Sequence, residues 1–320
     1  MIFEHVEFYT LVCMKKVLIA TEKPFAKSAI EGIKKILIDG GFEVVLLEKY
    51  SSKAELLAAV ADVSAIIIRS DIIDGEVIEA ASKLEIVVRA GAGYDNVDLC
   101  AATTKNVVVM NTPGQNANAV AELAFGMMIF LNRHYFDGTS GTELRNKKIG
   151  IHGYGNIGKI TAMIAKGFGM KVYAHDPFVD RVMVENDGVK FEANIEDLYT
   201  KCQYISLNVP ATPKTKGLIN YDLFKLMPEN ATIVNTARKE IIDEVGMLKI
   251  FAERKDFRYA SDVAPDCAAE IIEKFPKRFY FTPKKMGAQT DEANNNAGLA
   301  AANQISNFLT KGDRTFQVNK

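Results

Sequence analysis

Histidine is scarce in this chain. Only His5, His134, His152 and His175 occur in 320 residues, and none lies beyond position 175. Cysteine is equally sparse. Cys13, Cys100, Cys202 and Cys267 are scattered, with no CxxC and no Cys/His ligand spacing. That pattern argues against a disulfide frame and a zinc site, so no metal is expected and the thiols read as reduced and cytosolic. Neither sign of charge dominates: 39 Lys+Arg face 40 Asp+Glu, a formal net charge of −1. A broad electrostatic surface for nucleic acid needs an excess of basic residues, so no nucleic-acid partner is expected. Long apolar runs are missing as well, which removes a membrane-spanning helix from consideration. What remains is ordinary for a globular protein, with 48% hydrophobic and 25% charged residues. The length suits about two domains of roughly 100–200 residues each.

The first thirteen residues, MIFEHVEFYTLVC, carry acid where a signal peptide needs base and contain no small-residue cleavage site. They read as a tail or an upstream start, with Met14-Lys15-Lys16 opening the first strand. The expected location is the cytoplasm. From Lys16 to Met110, strand-like runs alternate with helical ones: VLIA (17–20), FEVVLL (42–47), SAIIIR (64–69), LEIVVR (84–89) and NVVVM (106–110). Ile30, Ile33 and Leu37 recur at helical spacing, and Gly40-Gly41 ends that helix. Strands alternating with helices imply a parallel sheet covered on both faces, here a small flavodoxin-like domain. Asn111 to Gly114 breaks the pattern. A long helix over 116–133 follows, apolar nearly all round and so expected to be buried within one chain or against a second subunit. The alternation restarts at Lys147, with strands over 147–154, 170–176, 203–209, 231–237, 257–263 and 278–283. Ile157, Ile160, Ile164 and Phe168 keep one face of the intervening helix apolar. A last helix is expected over about 292–309.

Gly153-Tyr154-Gly155-Asn156-Ile157-Gly158 is a GxGxxG between a strand and a helix. The first glycine permits the tight turn. The second lets the backbone approach a pyrophosphate, and the third lets the helix sit close to the strand. Helix N-terminal amides then face the phosphates. Asp176 ends the next strand, 18 residues after Gly158. An acid near that spacing accepts hydrogen bonds from the adenosine ribose. It would repel a 2′-phosphate, and Pro177-Phe178 follow where an arginine would be needed. The expected cofactor is NAD rather than NADP.

Further motifs stand in a recognisable order: RAGAGYDNVD (89–98), NTPGQNANAVAEL (111–123), GYGNIG, HDP (175–177), LNVPATPKTKGLI (207–219), NTAR (235–238), DVAP (262–265) and TPKKMGAQT (282–290). With them the chain resembles the D-isomer-specific 2-hydroxyacid dehydrogenases from Met14 to Leu309, and within them the short phosphoglycerate branch. The resemblance implies two Rossmann/flavodoxin-like, doubly wound parallel-sheet α/β domains with a cleft between them. Residues 14–110 plus 293–320 would bind substrate, and 111–292 would bind NAD. It implies a small 2-hydroxy or 2-oxo acid substrate, phosphorylated in this branch, and a homodimer. Ala90, Gly91, Ala92 and Gly93 match the substrate-carboxylate loop, whose small residues let backbone N–H groups converge on an anion. Asn116 matches a position near substrate, with a helix N-cap as the alternative. Arg238 matches the catalytic arginine, whose fork binds the carboxylate and polarises the C2 oxygen. Asp262 matches the residue that fixes the nicotinamide carboxamide. Asn208, Val209, Pro210, Thr215, Thr236, Ala237 and Gly287 would line the cofactor. Arg69-Ser70 matches the branch's phosphate contact, with an ordinary strand-end charge as the alternative. The chain ends near its last helix, which implies that the regulatory domains of longer members are absent.

The pattern breaks at the acid/base. Most of the family carries a histidine after the last strand and a glutamate five residues beyond the nicotinamide-binding aspartate. Here those positions read Lys284-Lys285 and Asp266-Cys267, and no downstream histidine can substitute. One reading is a lysine acid/base. A free lysine titrates near 10.4, so it must fall by roughly 3 units to serve as a base near neutrality. Neighbouring cations and burial against the nicotinamide push that way, and loss of the glutamate removes an opposing charge. Counting back from Gly287 selects Lys285; counting on from Thr282-Pro283 selects Lys284. The expected reaction is oxidation of D-3-phosphoglycerate to 3-phosphohydroxypyruvate, the first step towards serine. The alternatives are a hydroxypyruvate, glyoxylate or D-lactate reductase and, in another class, an NAD-binding regulator without catalysis. Lys239-Glu240 replace two glycines that usually follow the catalytic arginine, and the sequence gives them no role.

Overall fold

A computed structural model describes residues 14–320; the expectation of a tail over the first thirteen residues lies outside the described residues. The chain divides into two units. One runs to Gln115 and resumes at Asn294–Lys320; the other is Asn116–Ala293. The second unit is therefore an insertion in the first. The boundary after 110 expected from sequence moves to 115 because the intervening residues are tied to the first unit. Asn111 Nδ2 donates to Ala92 O (2.6 Å), Thr112 N–H to Gly91 O (2.9 Å) and Gln304 Nε2 to Asn111 O (3.0 Å).

The first unit holds β1 (Lys16–Thr21), β2 (Glu43–Glu48), β3 (Ala65–Ile68), β4 (Ile86–Arg89) and β5 (Val108–Asn111) in the order β2-β1-β3-β4-β5, every pair parallel. Val17 to Ala20 and Ala65 to Ile68 are fully buried. That is why these strands read as unbroken apolar runs: both faces of a parallel sheet are covered. One face packs on the helix Lys27–Asp39 through Ile30, Ile33 and Leu37, together with Ala297, Ala301, Ala302 and Ile305 of the last helix. Gly40-Gly41 ends the helix Lys27–Asp39 as expected, Gly41 taking φ +83. The β5 edge is covered by the C-terminal segment, where Val318 N–H donates to Val109 O (2.9 Å).

The second unit holds β6 (Lys148–His152), β7 (Lys171–His175), β8 (Lys190–Phe191), β9 (Tyr204–Leu207), β10 (Thr232–Asn235), β11 (Arg258–Ser261) and β12 (Phe279–Phe281). Their order is β12-β11-β10-β9-β6-β7-β8, again all parallel. Only β8, two residues long and at the edge, has no counterpart in the sequence reading. The helix Ala117–Asn132 is buried inside this unit, Ala124, Met127, Met128 and Leu131 joining the core beneath β6 and β7. The helix Asn156–Gly167 buries a different face from its apolar one. Its buried face is Gly158, Thr161, Ala162 and Ala165, whereas Ile157, Ile160 and Ile164 are half-buried and Phe168 is exposed. Small residues face the sheet because the glycine turn brings this helix close to it, leaving no room for isoleucine. Phe168 instead stacks on Phe125, ring centroids 5.2 Å apart. The last helix, Asp291–Lys311, exceeds the expected span at both ends. No helix among the described residues is long and apolar enough to cross a membrane.

Candidate active site

In the second unit the strand order reverses between β6 and β9, and the glycine turn leaves β6 at that switch point. Gly153 has φ +93, and a Cβ there would lie 2.8 Å from Asn208 O across the gap. A Cβ on Gly158 would lie 2.2 Å from Gly153 O. At Gly155, by contrast, nothing lies within 4 Å of the position a Cβ would take. The outer glycines thus fix the turn, and the middle one keeps open the space before the helix N-terminus. Asn156 starts that helix exposed, and Ile157 after it is half-buried. Asp176 is anchored from both sides: Oδ2 accepts Tyr154 N–H (2.7 Å) and Oδ1 accepts Phe178 N–H (2.9 Å). Its oxygens keep lone pairs for two ribose hydroxyls. Tyr154 is fully buried and donates its hydroxyl to Asp187 (3.0 Å), so its role is to hold the turn. Pro177 is exposed beside Asp176.

The other end of the cradle lies where β9, β10 and β11 end. There Asn208 Oδ1, Thr236 Oγ1 and Asp262 Oδ1 are buried without a hydrogen-bond partner among the described residues. An unpaired buried polar atom costs about 1–3 kcal/mol. Three of them at the ends of adjacent strands fit a ligand bearing amide and hydroxyl groups, which NAD supplies. Asp262 Oδ2 accepts Gly287 N–H (2.9 Å), and a Cβ on Gly287 would press within 2.8 Å of that oxygen. Burial raises the Asp262 pKa, while the Gly287 N–H, Lys285 and Arg238 pull it down. Val209 is half-buried and Pro210 exposed on the loop after β9. Thr215 shapes that loop, accepting Thr212 N–H (2.7 Å) and donating to Pro210 O (2.6 Å).

Arg238 stands on the turn after β10. The Asn235 side chain builds this turn, accepting Ala237 N–H (3.0 Å) and donating to Arg238 O (2.9 Å). Arg238 Nη1 donates to Ala237 O (2.9 Å). The loop after β12 is fastened to Asp262 at two points, by Gly287 N–H and by the Thr282 hydroxyl, 2.9 Å from Asp262 O and 2.7 Å from Lys284 O. Lys284 and Lys285 are both exposed. Lys285 is the lysine whose charge acts most on Asp262. Three adjacent strand ends therefore bring Arg238, Asp262 and Lys285 into one electrostatic neighbourhood, so a carboxylate is present beside the lysine even without the family glutamate.

At the glutamate position, Glu244 accepts the N–H groups of Asp266 and Cys267, each at 2.8 Å. Burial and Glu244 push the Cys267 thiol up to about 12. It stays protonated and cannot act as the missing anion. Asp266 is held in an ion pair by Lys239. That pairing is an account of Lys239 that the sequence did not offer.

In the first unit, Ala90 N–H is bound to Ile68 O (2.8 Å) and Gly91 N–H to Arg89 O (2.9 Å). The N–H groups of Ala92 and Gly93 take no acceptor among the described residues. The convergent donors expected over 90–93 thus narrow to the last two. Arg69 is half-buried across the Phe25 ring, its Nη1 donating to Lys23 O and Pro24 O (3.0 Å each) and its Nη2 to Asn294 Oδ1 (2.5 Å). Burial lowers its pKa. Ser70 is exposed beside it. Asn116 precedes the helix Ala117–Asn132 without a side-chain capping bond, so the N-cap alternative is not what its amide does here.

Residues 129–275 match the model of the D-isomer specific 2-hydroxyacid dehydrogenase NAD-binding domain. A NAD⁺-bound 3-phosphoglycerate dehydrogenase structure from Entamoeba histolytica is 49% identical, covering 96% of this chain and 99% of that one with a TM-score of 0.85. The chain belongs to the D-isomer specific 2-hydroxyacid dehydrogenases. The residues of this dehydrogenase-family chain that match the NAD-binding domain model, 129–275, all lie within the 116–293 unit. D-3-phosphoglycerate dehydrogenase from Rattus norvegicus is 35% identical over 301 residues, 89% of this chain and 56% of that protein. The chain thus spans about half the length of the curated relatives it matches first. Hydroxypyruvate reductase from Thermotoga maritima is 33% identical over 281 residues, 82% of this chain and 90% of that protein.

Sequence reasoning passed over Asn235, Glu244 and Arg89. Asn235 and Arg89 sat inside quoted motifs, but they make hydrogen bonds to backbone groups, which leave no signature in the sequence. Glu244 acts 23 residues away from Cys267, beyond the reach of local pattern.

Proposed function

We propose that this chain oxidises a D-2-hydroxy acid with NAD, that D-3-phosphoglycerate is the acid, and that Lys285 moves the proton. The observation that carries the reading is the placement of Arg238 and Lys285 around buried Asp262 at the ends of β10, β11 and β12. NAD, held by the glycine turn, Asp176 and the unpaired atoms of Asn208, Thr236 and Asp262, would supply a hydride acceptor. Arg238 holds the substrate carboxylate and the C2 oxygen, a fork-shaped task for which lysine is a poor replacement. Lys285 accepts the C2 hydroxyl proton in oxidation and returns it as an ammonium in reduction. Ala92 and Gly93 donate to the carboxylate, and Asn116 and Ser70 border the substrate. Arg69 meets the phosphate through Nε and its remaining Nη2 hydrogen. Free Cys100, Cys202 and Cys267 support a reducing, cytoplasmic setting. Exposed Phe136 and Ile272 support a homodimer, which light scattering tests.

The test is a substrate panel at pH 6–10: D-3-phosphoglycerate, hydroxypyruvate, glyoxylate and D-lactate, or their redox partners, with NAD(H). The phosphorylated acid should give the highest kcat/KM, and oxidation should accelerate into alkaline pH. Equal use of unphosphorylated acids would overturn the substrate. NAD binding with no turnover of any acid would favour the regulator. Lys285→Ala should lower kcat by roughly 10²–10⁴-fold with the NAD Kd unchanged, while Lys284→Ala keeps most turnover. The reverse result would transfer the role to Lys284, and full activity in both would sink a lysine acid/base.

A further inference from the structure

Arg89 ends β4 and opens the loop that the reading above assigns to the substrate carboxylate; the inference here rests on that assignment. Its Nε donates to Arg69 O (2.9 Å), tying the β4 end to the β3 end beside it. The guanidinium then lies close against the loop at Gly91. A Cβ on Gly91 would sit 1.5 Å from Arg89 Nη1 and 2.5 Å from Cζ, so the cation occupies the space that any side chain at 91 would need. Gly91 takes φ +150, a conformation that glycine adopts at low cost. The loop carbonyls are engaged from the side: Gly91 O accepts Thr112 N–H (2.9 Å) and Ala92 O accepts Asn111 Nδ2 (2.6 Å). That leaves the N–H groups of Ala92 and Gly93 as the loop's open backbone donors, backed by a fixed positive charge.

We propose that Arg89 is a positioning residue for substrate recognition, lending its charge to the 90–93 loop and so setting affinity for the carboxylate end of the acid. An anion held by backbone amides alone meets partial charges. A guanidinium packed against the same loop adds a full one, in a half-buried place where screening is weak. The fork also matters, because it holds Arg69 O while facing the loop. Arg89 therefore acts on substrate binding and leaves hydride transfer and cofactor binding untouched.

Two variants separate charge from scaffold. Arg89→Gln can keep a donor toward Arg69 O without charge, and Arg89→Lys keeps charge without the fork. In Arg89→Gln the KM for the hydroxy acid should rise on the order of 10–100-fold, with kcat and the KM for NAD within about threefold of wild type. Arg89→Lys should recover most of the loss. Wild-type kinetics in Arg89→Gln would overturn the proposal. So would equal damage in both variants, or a parallel rise in the KM for NAD, since either would mean a purely structural role. If wild type turns over no acid on the panel, the proposed activity fails separately. Arg89 is then read by calorimetric titration of oxalate into the NADH-saturated chain. Weaker oxalate binding in Arg89→Gln than in Arg89→Lys supports the role, and equal binding in the two refutes it.

Discussion

His152 illustrates how far one side chain can be moved from its solution behaviour. It is 2% exposed at the end of β6, with Nδ1 3.3 Å from the Tyr199 hydroxyl and its ring centroid 5.7 Å from that of His175. Burial and the neighbouring His175 push its pKa down from 6.5 to about 4, against the pull of Asp176. Between those two values the unfolded chain binds a proton that the folded one refuses. The stabilisation is complete above about 6.5 and is lost as pH falls through about 4, on the order of 3 kcal/mol in all. Thermal melts from pH 7 to pH 4 should therefore fall more steeply for wild type than for His152→Gln. Parallel curves would show that the buried imidazole does not carry this dependence. The same residue sits directly before the glycine turn, so acid loss of NAD affinity should accompany the loss of stability.

At the scale of the element, the turn from β6 into the helix Asn156–Gly167 separates folding from binding. Gly158→Ala drives a methyl into backbone at Gly153 O, where nothing flexible can yield. It should cost roughly 2–4 kcal/mol of stability, read from the urea midpoint. Gly155→Ala meets no neighbour, so the midpoint should stay within about 0.5 kcal/mol while NAD binding weakens at least about tenfold. A stability loss in Gly155→Ala equal to that in Gly158→Ala would refute the division of labour. This turn was legible in sequence because three glycines, a strand, a helix and Asp176 each demand it. The alternating strands were legible for a related reason: burial on both faces writes itself as uninterrupted Val, Ile and Leu. The face this helix buries was not legible, because small residues at a close approach look unremarkable beside the apolar Ile157, Ile160 and Ile164. The environment of Lys285 was legible only as a departure from a pattern. Its neighbour Asp262 lies more than twenty residues away and meets it through tertiary structure.

For the whole molecule, the C-terminal segment is a structural member of the first unit. Asn319 is 8% exposed, accepts Val109 N–H (2.8 Å) and donates to Val107 O (2.8 Å). Asn319→Ala should lower stability by about 2–3 kcal/mol in chemical denaturation through lost buried hydrogen bonds, with kcat/KM unchanged. An unaltered unfolding midpoint would refute that role. The insertion of one unit inside the other also sets a timetable. The sheet face bearing Val17, Ile19, Ile33 and Leu37 is closed by Ala297, Ala301, Ala302 and Ile305. At roughly 5–20 residues per second, the ribosome needs on the order of 10–40 s to make residues 116–293. Throughout that interval the nascent first unit has five strands' worth of apolar surface and no lid for part of it. The inserted unit, synthesised without interruption, can complete its fold first. Order of synthesis and order of folding are therefore opposed in this chain, and its first unit should lean on chaperones until its final turns of helix emerge.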